Sequence, residues 1–300
     1  MKPTSIIFLI VSLVVVLLGF ATVGVASGLA ASQDVLIGMP ASEDGNYYAE
    51  PEFDAASVGK ISISLAEATV NVIGGAEKSY IELINFTEGM YASSSSNRVY
   101  TLSDSTDLAS FSGMVSMVSN FKGLRTFVDY FGMRKLERTV NVYLCDEYPI
   151  NAISISLKSG NVSIKDNRSL TDYYVNVGSG DVDMIDIGTT SLVSIEVGSG
   201  NVRLDDCDIE QMQMTLKEGD ANVVAQINRF GASIESGDFS YSTYGALDTT
   251  NVKLAASAGG ITIDGNTVGG FMQTGDAATD NKLDVTVTVG NIIVKTNTQR

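Results

Sequence analysis

The sequence predicts an all-β chain: a parallel β-solenoid with a period near 20 residues, behind an N-terminal transmembrane helix and broken by a short helical insertion. Three observations carry this. Corner glycines recur at Gly160, Gly180, Gly200, Gly219, Gly237 and Gly259, with Gly290 in a looser last copy, at intervals of 20, 20, 19, 18, 22 and 31 residues. Apolar residues alternate with polar ones on both sides of these corners, the period of half-buried strands. Helical spacing of apolar residues appears in only one stretch of the body, 105–138.

Taken from the N-terminus, residues 1–4 form a tip whose one charged side chain is Lys2. From Ile6 to Ala26 no residue is charged, long enough as a helix to cross a bilayer core of roughly 30 Å. Residues 5–27 are therefore expected to be a transmembrane helix or signal anchor. Small residues at Gly24-Val25-Ala26 and Gly28-Leu29-Ala30 leave cleavage, and hence secretion, as the alternative. Lys2 lies on one side of the segment, and residues 27–59 on the other carry acids without Lys or Arg. The positive-inside rule then places a single-pass chain in the cell membrane with its bulk outside the cytoplasm. Residues 28–58, rich in Gly, Ser, Ala and acids, are expected to be a solvated acidic tether.

The solenoid is expected over 59–300. Ile61, Ile63 and Leu65 precede the first corner, and Val70 and Val72 follow it; Ile153, Ile155 and Leu157, then Val162 and Ile164, repeat the form. Later copies keep step, through Val175/Val177, Val193/Ile195/Val197, Met212/Met214/Leu216, Ala232/Ile234 and Val252/Leu254 before their corners. Val182/Met184, Val202/Leu204, Phe239/Tyr241, Ile261/Ile263 and Ile292/Val294 follow theirs. A β-sandwich would share the strand spacing, but the constant corner chemistry favours stacked coils.

The units "ISISLKSGNVSIKD" and "KISISLAEATVNVIGG" and the run-in "RTVNVYLCDEYPINAISISLKSGNVSI" resemble the putative-adhesin family of bacterial β-strand-repeat proteins, a domain of unknown function. The resemblance spans roughly 59–300 and brings no catalytic motif. Two departures stand out. Cys145 occupies a place where relatives often carry proline, and the first corner is Ala66-Glu67-Ala68 in place of Ser-Gly-Asp. The resemblance implies an extracytoplasmic β-solenoid linked to adhesion or envelope stress.

Composition limits the chemistry. The net charge of −16 argues against nucleic acid, whose phosphates need a basic partner surface. Without a histidine, Ser-His-Asp and Cys-His nucleophiles and His-ligated metal centres are excluded. At Gly160-Asn161, Gly180-Asp181, Gly200-Asn201, Gly219-Asp220 and Gly237-Asp238, glycine supplies positive φ, and Asn or Asp tolerates the turn. The expectation is a structural ladder of corners, with a stacked Ca²⁺ site as the sharper alternative; neutral Asn at two of the first three disfavours the ion. Asp181, Asp183, Asp186, Asp205, Asp206 and Asp208 are expected to be solvated charges, Asp183 beside Arg203 as a surface ion pair and Asp186 beside Asp206. Cys145 falls about three coils before Cys207, about 14 Å, too far for a disulfide. The Asn-x-Ser/Thr patterns at Asn85, Asn161 and Asn167 are expected to be chance.

The insertion over 105–138 places Leu108, Phe111, Met114, Val115, Val118 and Phe121 at helical spacing and gathers Lys122, Arg125, Arg134, Lys135 and Arg138. It is expected to cap the solenoid or, through those five cations, to contact a cell-wall polymer, lipid headgroups or a membrane protein. The functional expectation is a non-enzymatic cell-envelope protein, adhesin-like or polymer- or partner-binding, with no cofactor. The alternatives are an envelope-stress sensor or structural component acting through membrane partners and, ranked last, a carbohydrate-active enzyme using the acidic residues.

Overall fold

The computed structural model describes residues 46–86, 89–105, 136–147, 150–167, 170–247, 250–275 and 279–298. The expected membrane segment, and the insertion apart from residues 105 and 136–138, lie outside these. Among the described residues no helix is long and apolar enough to cross a membrane. The chain divides into a larger unit (50–83, 93–103 and 138–300) and a smaller one (1–49, 84–92 and 104–137).

In chain order the strands begin with β1 (Tyr48–Ala49), β2 (Lys60–Glu67), β3 (Thr69–Ile73), β4 (Tyr80–Ile84) and β5 (Tyr91–Ser96). There follow β6 (Val99–Asp104), β7 (Thr139–Tyr143), β8 (Ala152–Ser159), β9 (Val162–Lys165) and β10 (Asp172–Ser179). Three long strands come next: β11 (Val182–Ser199), β12 (Val202–Glu218) and β13 (Ala221–Ser236). The chain ends with β14 (Phe239–Ser242), β15 (Asn251–Ala258), β16 (Ile261–Ile263), β17 (Asn266–Gly269), β18 (Phe271–Thr274), β19 (Lys282–Val289) and β20 (Ile292–Lys295).

In the larger unit each coil gives one strand to a first sheet, turns at a glycine corner, and gives the next strand to a second sheet. The first sheet runs β6, β2, β8, β10, the 192–199 half of β11, the 211–218 half of β12, the 229–236 half of β13, β19, β15, all parallel. The second sheet runs β4, β7, β3, β9, the start of β11, the start of β12, the start of β13, β14, β20, β16, parallel again from β7 onward. The 18-residue β11 can serve both sheets because Asp186 bends it at φ +51. Asp166 and Asp206 take the same left-handed conformation one coil to either side, one that Asp tolerates better than most residues.

Alternation places the core between the sheets. Of the apolar pairs and triples expected inside, every member is buried except Ile263, which is half-buried at the last parallel coil beside the Asp264-Gly265 turn. Burying a Val, Ile or Leu side chain this fully contributes roughly 1.5–3 kcal/mol, so stacking supplies what no single coil could.

The order of the coils departs from chain order at both ends. Sequential stacking would put the Gly259 corner on Gly237 and Gly290 last. Instead β19 pairs with β13 on one side and β15 on the other, and β20 lies between β14 and β16. The stack is therefore Gly237, Gly290, Gly259. At the other end β2 sits between β6 and β8, and β3 between β7 and β9, so the first coil lies one place in from a coil assembled from residues 99–103 and 139–143. The Cys145 and Cys207 coils are thus four apart, not three; both thiols are buried and unbridged. Past the Gly259 coil the chain reverses at Asp264-Gly265, and β17 and β18 run antiparallel against β16 and β15.

In the smaller unit, Asn85 is buried at φ +62 and ties three segments together. Its Oδ1 accepts from the Tyr47 N–H at 3.2 Å, and its Nδ2 donates to the Asn46 Oδ1 at 3.1 Å and the Glu137 carbonyl at 2.7 Å. The ring of Phe86 meets that of Tyr91 edge-on at 6.1 Å.

Candidate functional site

The Gly-Asn/Asp corners form a continuous ladder. Asn161 Oδ1 accepts from the Asp181 N–H at 2.9 Å, Asp181 Oδ1 from the Asn201 N–H at 2.7 Å, and Asn201 Oδ1 from the Asp220 N–H at 3.0 Å. Asp220 and Asp238 continue it to Asp238 and Asn291, at 2.8 and 2.7 Å. The glycine before each carboxamide or carboxylate is obligatory. A Cβ on Gly200 would lie 2.0 Å from the Gly180 carbonyl oxygen, and the φ of +141° is itself hostile to a side chain. One oxygen of each corner side chain is thus committed to the neighbouring coil, and the corners do structural work.

Among the described residues the acids form no group of three or more that could hold a metal ion, although the flanking pairs Ile185–Asp205 and Ile187–Cys207 set Asp186 beside Asp206, as expected. Asp183 lies in register with Arg203, as expected, but the Arg203 guanidinium pairs with Asp205 two residues along its own strand, at 2.7 Å. A residue at i+2 shares the same sheet face, which puts Asp205 within reach of the long Arg203 side chain. Both side chains are well exposed, so the pair contributes under about 1 kcal/mol. Asp206 accepts from the Tyr244 hydroxyl at 3.2 Å.

Burial is the largest cause of each shift among the groups that do shift. Desolvation raises the Cys207 thiol to about 11, hydrogen bonds to backbone groups opposing it, and raises the phenols of Tyr173, Tyr241 and Tyr143. A thiol held protonated in apolar surroundings is a poor nucleophile. Of the three sequon asparagines, Asn85 and Asn167 are buried, while Asn161 is exposed with its Oδ1 engaged in the corner ladder. A cleft of about 230 Å³ beside the 229–242 coil is lined by Gln226, Asn228, Tyr241, Thr243 and Asn281, below the usual size of a small-molecule pocket.

Of the five cations in the expected patch, Lys122, Arg125, Arg134 and Lys135 lie outside the described residues. Arg138 is half-buried at the entry to β7, where its carbonyl accepts from the Thr69 N–H at 2.8 Å.

The feature that sequence reasoning missed is on the outer face of the first sheet. Register brings Ser103, Ser64, Ser156 and Asn176 into one column, and Thr101, Ser62, Ser154 and Tyr174 into a second. These eight side chains carry no charge on a chain of net −16, and the first column ends where the Asn176 Nδ2 donates to the Glu196 carboxylate at 3.0 Å. Tyr174 is 38% exposed, with the Lys60 ammonium 5.5 Å from its ring centroid. Hydroxyls and carboxamides donate as well as accept, and the phenol ring adds an apolar platform. The signal was present in Ser-Ile-Ser twice and Thr-Leu-Ser once. The repeat of corner glycines gives residues 99–103 no coil, so the pairing of Thr101 and Ser103 with Ser62 and Ser64 emerges only from the structure.

The chain matches the Toastrack DUF4097 family over residues 58–267. No curated protein matches it. Among solved structures it is similar to a putative cell adhesion protein from Clostridium sporogenes, 14% identical, covering 84% of this chain and 98% of that one at a TM-score of 0.35. A putative adhesin from Bacteroides fragilis is 12% identical, with 86% and 100% coverage and a TM-score of 0.41. A putative adhesin from Parabacteroides distasonis is 11% identical, with 84% and 96% coverage and a TM-score of 0.28.

Proposed function

This chain belongs to the Toastrack DUF4097 family, the bacterial putative-adhesin group its repeat units resemble, and from that premise we propose that it is a non-enzymatic, adhesin-like protein of the cell envelope. In this reading residues 5–27 anchor it in the membrane, the solenoid stands outside the cytoplasm, and its partner is a cell-wall polymer. The apolar Ile6–Ala26 stretch and the acids that follow it support the location. The observation that carries the binding role is the uncharged double column on the first sheet. A rigid parallel sheet holds donors and acceptors at a repeat of about 4.8 Å without spending side-chain entropy on long flexible arms.

The test is co-sedimentation of the full chain with isolated wall material. Replacing Ser64 and Ser156 together by Glu puts two charges into the column and should weaken binding about tenfold. The same change at Ser163 and Asn222, on the outer face of the second sheet, should leave it intact. Binding indifferent to the first pair, or equally sensitive to the second, would remove the assignment of this face.

A further inference from the structure

We propose that the β17–β18 end of the solenoid is a self-association edge, at which two copies of this chain pair strand to strand. Among the described residues, β17 is hydrogen-bonded on one side to β16, and β18 on one side to β15; no strand covers their outer edges. An open edge offers a row of backbone donors and acceptors, which soluble proteins ordinarily protect with Lys, Pro or a covering element. This edge carries neither of the first two: Gly265 to Gly275 contains no charged residue and no proline. Phe271 is 58% exposed and Val268 42%, on a segment whose other residues are nearly all exposed as well.

The choice of a second copy follows from charge and symmetry. Two chains of net −16 repel one another over most of their surface, and an uncharged edge lets them approach without placing acid against acid. A two-fold axis beside β18 sets it antiparallel to its own copy, which satisfies both edges with one closed, isologous contact. Phe271 of each copy then packs across the new pair, where cross-strand aromatic contacts stabilise antiparallel strands.

The experiment uses the full chain in detergent. Sedimentation analysis should give a dimer at micromolar concentration, and association should tighten several-fold as salt screens the net charge. Gln273→Cys should be joined into a covalent dimer by a short bis-maleimide, whereas Asn222→Cys should not; Cys145 and Cys207 are buried and do not compete. Phe271→Lys should weaken association about tenfold with an unchanged melting temperature, since the side chain is exposed. A chain that stays monomeric at high micromolar concentration, equal cross-linking at positions 222 and 273, or a Phe271→Lys variant that dimerises normally would overturn the proposal. A partner strand from a different protein would show itself in the first of these outcomes.

Discussion

At the scale of single residues, the corner glycines and the buried thiol give opposite kinds of prediction. Gly200→Ala places a methyl group 2.0 Å from a backbone oxygen that neighbouring coils hold fixed, at a left-handed φ. It should cost on the order of 3 kcal/mol or prevent folding. Gly265→Ala, also at positive φ (+81°) but facing open space, should cost only about 1 kcal/mol. Urea unfolding of the two variants side by side tests the contrast, and similar losses would mean the corners are not in contact. Burial predicts a pH dependence as well. Cys207 rises from 9.0 to about 11, and the phenols of Tyr173, Tyr241 and Tyr143 are raised too. The folded state therefore keeps protons that the unfolded state releases. Stability is fully present below pH 9 and falls as pH climbs through 11. The urea midpoint should drop over that window, and Cys207→Ala should remove part of the drop; a flat profile from pH 8 to 11 would contradict the burial.

At the scale of elements, the strands and their inward faces were legible because alternation survives any stacking order. Val193, Ile195 and Val197 must face one way whichever coil lies beside them. The middle coils were legible as neighbours too, since a spacing of 18–20 residues admits one register. Legibility ended where a coil pairs across a long separation. Nothing local in Ser62-Ile63-Ser64 distinguishes a neighbour at Ser154 from one at Thr101, and the structure supplies both. The candidate site was missed for a related reason: its columns take Thr101 and Ser103 from a strand that no corner glycine marks, whereas the five-cation patch was legible as a local cluster. The exchange carries its own prediction. Deleting residues 279–300 removes β19 and β20, an interior coil, and not a terminal one as in a sequential solenoid. The 251–274 hairpins should then lose their seat. Limited proteolysis should cut within them at least about tenfold faster, far more than loss of an end repeat would cause. Unchanged protection of that segment would argue for sequential stacking.

At the scale of the molecule, one of the two surfaces given a role depends on the coil order. The free β17–β18 edge needs β15 and β16 outside β19 and β20, whereas the hydroxyl columns would gather the same residues with β2 and β6 in either order. The family match ends at residue 267, yet β19 and β20 lie inside the stack, so the C-terminal strands are integral to the solenoid. Disulfide trapping tests this order most directly. Ser236 and Val289 are adjacent in the first sheet, and Val289 separates Ser236 from Ala258. Adjacent strands lie about 4.8 Å apart, within bridging range, while strands two places apart lie about 9.6 Å apart, beyond it. The paired variant Ser236→Cys with Val289→Cys should oxidise to an intramolecular disulfide, and Ser236→Cys with Ala258→Cys should remain reduced. A bridge between positions 236 and 258, with none between 236 and 289, would contradict the exchanged stack.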